Sequence, residues 1–401
     1  MSKKFSNWWE AACREPYRIF FPLGVLAGTI GIGHWLFYAF HWLPKYSGFF
    51  HSSIQMMVYM NCFVAGFLMT AIPRFTGTPT AESREVLSFL LILGGMATFL
   101  SLEQWIVAEG MFIVWLVLLM AFVGKRIVAR IRAGSSGQKP PLEMMWVPLG
   151  MMTGISATAL LMLGQLEILP RWSLTIGKPM MDQGFLLCVV LGIGGFLIPR
   201  VMGTYAPLPS SGRLYATLFL VFIFTFILEG MQLFSWAYGL RAFVMTVVFI
   251  RARIISKLPV ARSFYIRLVW ISAWMTALGL WGAAFLPDYR IVWLHVTFIG
   301  GFSLMVYAIA TMVIMSHAGE GERLQKPLWI FWMIGLGTVI VLIKRSFVAF
   351  FPDQYFQFLG MAAAVWLIVA TSWFVFIIPS ILKIPREDEF GKMHERAVRE
   401  K

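Results

Sequence analysis

Charge is what this chain has least of. Of its 401 residues only 13% are charged, whereas 59% are apolar. A soluble domain carries roughly 25% charged residues and cannot hide so much apolar surface. A soluble, water-exposed fold is therefore excluded, and lipid tails are the solvent that accepts such a surface. Cysteine is equally scarce. Cys13, Cys62 and Cys188 stand far apart with no CxxC or zinc spacing, so a disulfide framework is not expected. No serine triad, phosphate loop or zinc motif occurs, and Gly31-Ile32-Gly33 is not a dinucleotide fingerprint because no strand precedes it. The opening Met1–Arg18 lacks a cleavable-signal pattern, so the first hydrophobic stretch is expected to be a retained helix.

What is present is a series of apolar runs, each long enough to cross a bilayer. Twelve are read, at roughly 19–40, 51–73, 86–101, 105–124, 145–165, 181–199, 214–230, 233–250, 268–286, 291–316, 328–343 and 355–381. They are numbered spans 1 to 12. The fold class expected is all-α, a polytopic membrane protein of about 12 transmembrane helices. Residues 1–382 form its single helical domain and 383–401 a cytoplasmic tail.

The net charge of +14 would suit nucleic acid, but its distribution points elsewhere. With the N-terminus inside, 26 of the 33 Lys and Arg fall on the inner side and 7 on the outer side or within spans. That bias follows the positive-inside rule and places both termini in the cytoplasm of a bacterial inner membrane. The basic loops then face anionic headgroups, so the partner is the lipid bilayer and not nucleic acid.

Two spans share a motif. Span 2 ends in Ile72-Pro73-Arg74-Phe75-Thr76-Gly77-Thr78 and span 6 in Ile198-Pro199-Arg200-Val201-Met202-Gly203-Thr204, 126 residues later. His295 in span 10 follows His51 in span 2 by 244 residues, about twice that period. Three units of four helices, about 1–125, 126–253 and 254–382, with spans 2, 6 and 10 equivalent, would explain this. Chance recurrence of Pro-Arg at helix ends is the other explanation.

Of six histidines, His394 lies in the charged tail, and His34, His41, His51, His295 and His317 lie within or at the ends of spans. An ionisable side chain there is costly and points to function. His34 and His41 share a face of span 1 but are separated by about 10 Å, so they cannot be the two axial ligands of one iron. His295 and His317 are about 33 Å apart along span 10 and mark opposite membrane faces. His51 and His295 both lie at the outer leaflet and can meet if spans 2 and 10 are neighbours. A bis-histidine haem is the economical assignment. Its propionates would need cations, for which Arg171, Lys178, Arg290, Lys344, Arg345 and above all Arg241 in mid-span are available. For Arg241 an ion pair with Glu229 or Glu109 is the competing explanation. For each histidine taken singly, an interfacial hydrogen-bonded role competes with ligation. Copper is a second metal that imidazoles and the 25 methionines could serve, although Met pairs in membranes more often fill gaps.

Four stretches resemble the NnrS family, haem- and copper-containing bacterial inner-membrane proteins linked to nitric oxide and nitrosative stress. They are Glu15-Pro16-Tyr17-Arg18-Ile19-Phe20-Phe21-Pro22-Leu23-Gly24, His51 through Pro73 with Thr76-Gly77, Gly194-Gly195 through Pro199, and His295 through Ser316-His317-Ala318-Gly319. The family's His-Ala-His-Glu at the start of span 2 is here His51-Ser52-Ser53-Ile54, and Phe196 and Met312 stand where the family has arginine. A divergent member is implied, with haem b as cofactor and a copper centre stripped of part of its ligand set. The resemblance also implies dealings with nitric oxide or iron–nitrosyl species, with His51 and His295 on haem and His317 on metal or at the cytoplasmic mouth. At fold level the triplication is similar to the catalytic subunit of haem–copper oxidases, but spans 6 and 7 hold no histidine to build that active site. Two functions compete: a cofactor-free transporter with a midplane site between broken helices, and an assembly or scaffold subunit.

Overall fold

A computed structural model describes residues 3–132, 142–206 and 211–384. Among the described residues, twelve helices are long and apolar enough to cross a membrane. Spans 1 to 6 are Tyr17–Ala39, Gly48–Thr76, Ser83–Ser101, Trp105–Arg132, Leu142–Gln165 and Trp172–Met202. Spans 7 to 12 are Gly212–Gly230, Phe234–Arg251, Phe264–Phe285, Pro287–His317, Trp329–Phe350 and Pro352–Leu382. A thirteenth, amphipathic helix, Lys3–Arg14, precedes them and leans on the bundle, where the Trp8 indole N–H donates to Ile381 O at 3.4 Å. Of the tail expected at 383–401, residues 385–401 lie outside the described residues. Cys13, Cys62 and Cys188 are buried free thiols.

The helices outrun the apolar runs where polar residues interrupt them. Span 6 starts at Trp172 instead of 181 because Lys178 and Asp182, which depress local hydropathy, neutralise each other 2.7 Å apart. Span 11 continues past Lys344 and Arg345 to Phe350. Spans 7 and 8 are separate helices joined by Met231, Gln232 and Leu233, with Gln232 in the left-handed region at φ 63°.

Spans 2, 6 and 10 form the interior. Of their most apolar stretches 89%, 67% and 72% of residues are buried, against 28% and 33% in spans 3 and 7 at the rim. Span 12 packs on span 1, closing the bundle into a ring. Spans 2 and 10 touch along their length: Tyr59 donates to Ser303 Oγ at 3.4 Å, the Phe63 and Tyr307 rings lie 6.4 Å apart, and Arg74 reaches His317.

The three interior spans also share their backbone form. Among the described residues, π-helical turns occur at Ile54–Met60, Met180–Gly184, Val190–Gly194 and Val296–Ser303, all within spans 2, 6 and 10. Each such turn widens the helix by one residue and re-aims the side chains beyond it, a device common at functional sites. The same spans end on Gly77, Gly203 and Gly319 at φ 66°, 73° and 73°. A left-handed residue after the last helical turn lets the amide return to the exposed carbonyls, and only glycine adopts it without strain.

Candidate functional site

The starts of spans 2 and 10 open onto one cleft of about 150 Å³. His51 and His295 both line it, with Arg345 from span 11, Asp182 from span 6, and Tyr59 and Trp366 deeper in. The charged residues and histidines of the wall lie near one end of the bundle, and the rest is chiefly apolar apart from Gln55, Tyr59 and Ser303.

Both imidazoles are held the same way. His51 Nδ1 lies 2.9 Å from Gly31 O and His295 Nδ1 lies 2.7 Å from Ile291 O. A carbonyl oxygen only accepts, so Nδ1 carries the proton in each ring and Nε2 keeps its lone pair. This is the arrangement that orients a metal-ligating histidine and strengthens its basicity. Among the described residues no hydrogen bond to either Nε2 is found. Gly31 O is reachable because span 1 approaches span 2 closely there: a Cβ on Gly31 would lie 2.4 Å from Ile54 Cγ2 and 2.6 Å from Gln55 Nε2.

Two charges sit in the wall. Lys178 Nζ donates to Asp182 Oδ1 and Oδ2 at 2.7 and 2.9 Å and to Ser52 Oγ at 2.6 Å, so Asp182 is balanced. Arg345 is only 9% exposed, its Nε has no hydrogen-bond partner, and no carboxylate among the described residues pairs with it.

The remaining sequence-level candidates lie elsewhere. His34 is adjacent to His51, ring centroids 6.1 Å apart, and its Nδ1 reaches the same Gly31 O at 2.9 Å, but it does not line the cleft. His41 is exposed in the turn that ends span 1, at φ 58°. Of the two explanations for Arg241, the ion pair is the one formed. Its Nη2 donates to Glu229 Oε2 at 2.8 Å, Nη1 to Gln183 Oε1 at 2.5 Å and Nε to Thr225 Oγ1 at 3.1 Å, all buried and away from the cleft. His394 is outside the described residues.

His317 belongs to a second cluster, at the other end of spans 2 and 10. Its Nε2 lies 2.7 Å from Arg74 Nη1 and its Nδ1 2.8 Å from Glu15 Oε1. Arginine only donates, so Nε2 accepts and Nδ1–H faces the carboxylate. Arg18 Nε donates to Glu15 Oε2 at 2.9 Å, and Arg74 Nη2 to Oε1 at 2.5 Å. Burial alone would raise the Glu15 pKa, but the His317 hydrogen bond and the charges of His317, Arg18 and Arg74 hold it at about 2. Both His317 nitrogens are thus engaged by protein. No group of three or more His, Cys, Asp or Glu among the described residues is arranged to hold a metal ion.

Sequence reasoning missed the Gly31 carbonyl, the Lys178–Asp182 pair in the wall and the Glu15–His317 contact. The first had a signal: a glycine pair in span 1 was weighed only as a nucleotide motif, whereas small residues in membrane helices mark close approach.

The cleft brings together the two histidines that sequence spacing had set at one membrane face, inside a triad of π-bearing spans. A comparison with curated proteins finds no match. The family model described as NnrS protein matches residues 11–386, taking in both histidine clusters and all twelve spans, and the chain belongs to that family.

Proposed function

We propose that this protein binds haem b through His51 and His295 in the bacterial inner membrane and acts in the response to nitric oxide or nitrosative stress, possessing a redox or electron-transfer role. One observation carries the proposal: the two imidazoles share a cleft, each with Nδ1–H fixed on a carbonyl and Nε2 free. The donor set suits the group, since neutral imidazoles bind haem iron and the apolar wall suits a flat macrocycle. Haem bound there supplies a one-electron couple and, where one axial position is open, a site for nitric oxide. The protein's part is to fix the imidazole tautomers and to keep bulk water from the deeper wall. Membership of a family associated with the nitric oxide response supports the physiological setting. The charge bias supports cytoplasmic termini and a periplasmic cleft. The shared π turns and left-handed glycines support three four-helix units. Copper has less support, because His317 is committed to Glu15 and Arg74. For the cofactor-free transporter, Pro22, Pro73, Pro148 and Pro199 lie inside continuous helical spans, whereas Gly192 to Gly194 lie in a π-helical turn of span 6.

The test is the visible spectrum of protein purified from haem-replete cells. A Soret band in wild type that is lost in His51→Ala and in His295→Ala, with both variants still monodisperse, is expected. A colourless, folded wild type would return the transporter to first place.

A further inference from the structure

We infer that Arg345 is the anion receptor of the cleft and holds a propionate carboxylate of the macrocycle seated between His51 and His295. The inference rests on the haem proposal and adds the residue that sets the ligand's orientation.

An arginine inside a membrane protein is almost always paired, because the uncompensated guanidinium is expensive away from water. The other buried arginines obey this rule: Arg18 with Glu15, Arg126 with Glu85, Arg241 with Glu229. Arg345 is buried to the same degree and breaks it, with an orphaned Nε and no carboxylate partner among the described residues. Lys178, the other cation beside the cleft, is already satisfied by Asp182. The guanidinium therefore lacks an oxyanion that the protein does not supply.

Position makes the ligand the source. Arg345 lies five residues before the end of span 11, His51 three residues after the start of span 2 and His295 eight after the start of span 10. At about 1.5 Å per residue all three lie within roughly 12 Å of the same end of the bundle. Arg345 lines the same cleft as both imidazoles. Beyond them the wall is lined by Met60, Ile299 and Trp366, with the hydroxyls of Tyr59 and Ser303 bonded to each other. A macrocycle with an acidic edge and an apolar edge fits that gradient in one orientation only, acid toward the mouth. A guanidinium with two parallel N–H groups is matched to a carboxylate.

The experiment compares iron protoporphyrin IX with its dimethyl ester, in which both propionates are uncharged, on purified wild type, Arg345→Gln and Arg345→Lys stripped of cofactor. Wild type is expected to bind the free acid about 10- to 100-fold more tightly than the ester. Arg345→Gln should abolish that preference, and Arg345→Lys should keep part of it. Equal preference in wild type and Arg345→Gln overturns the inference while leaving the haem proposal intact. Binding of neither porphyrin by monodisperse wild type overturns both. Phospholipid phosphate that co-purifies with wild type and is lost in Arg345→Gln, with the porphyrin preference unchanged, would make a lipid headgroup the anion and also overturn it.

Discussion

His51 presents its Nδ1 to the carbonyl oxygen of Gly31 at 2.9 Å, across the contact between spans 1 and 2. The bond exists because residue 31 has no side chain. A methyl there would lie 2.4 Å from Ile54 Cγ2 and 2.6 Å from Gln55 Nε2, and the helices would have to part. Gly31→Ala is expected to cost roughly 1–3 kcal/mol by overpacking and to weaken the Soret band as the imidazole loses its anchor. Thermal unfolding in detergent and the visible spectrum read the two effects. A variant with wild-type midpoint and wild-type spectrum would show that the interhelical approach is looser than described.

Glu15 predicts a pH dependence. Its pKa is held at about 2, below the ordinary 4.5, so its ionised form is stabilised in the folded protein. Because the folded value is depressed, the contribution is fully present above about pH 4.5 and is lost as pH falls towards 2. The shift corresponds to roughly 3 kcal/mol. Glu15→Gln should lower stability by about that amount at pH 7 and flatten the acid limb of the stability curve. Retention of the full acid limb in Glu15→Gln would assign it to other carboxylates.

His317 sits in the same cluster, and its two candidate roles part cleanly. As the partner of Glu15 and Arg74 it stabilises the protein without touching the cofactor. His317→Ala is therefore expected to lower the unfolding midpoint and leave the Soret maximum and intensity per protein unchanged. A Soret shift or loss in a variant that remains monodisperse would restore it as a ligand.

The fold was largely legible because bilayer thickness fixes the length of each apolar run. The spans were misjudged where charges lower hydropathy without ending the helix, as at Lys178 with Asp182 and at Lys344 with Arg345. In the site, cost and depth set His51 and His295 at one membrane face, and both line the cleft. What spacing could not give was rotation about each helix axis. Arg241 and Arg345 both read as lone arginines in apolar surroundings, yet one faces Glu229 and the other the cleft. The π turns compound this, since each shifts the 3.6-residue register in the very spans that carry the site.

Arg241 and Glu229 test the cost of a buried pair. Arg241→Met leaves Glu229 without its guanidinium and is expected to cost about 3–5 kcal/mol. Arg241→Met combined with Glu229→Leu removes both charges and should recover most of that loss, with a residue for the Tyr238 hydroxyl and Gln183 left unpaired. The Soret band per folded protein should not change in either variant, because neither Arg241 nor Glu229 lines the cleft. If the double variant is no more stable than Arg241→Met, the two charges do not act as a pair.

Lys178 and Asp182 set the local field beside the cleft. Together they are neutral, and Asp182 lines the wall while Lys178 reaches it through Ser52. With haem seated as proposed, removing the carboxylate would leave a positive charge near the iron, which favours the state with one more electron. Asp182→Asn should raise the haem midpoint potential, on the order of tens of millivolts at partly screened distances. Lys178→Met can only lower it, or leave it unchanged if Asp182 takes up a proton. The double variant, neutral again, should return near the wild-type value. Optical redox titration of the three proteins reads the sign directly. Opposite signs, or a double variant displaced further than either single one, would mean that the cofactor is not seated against this wall.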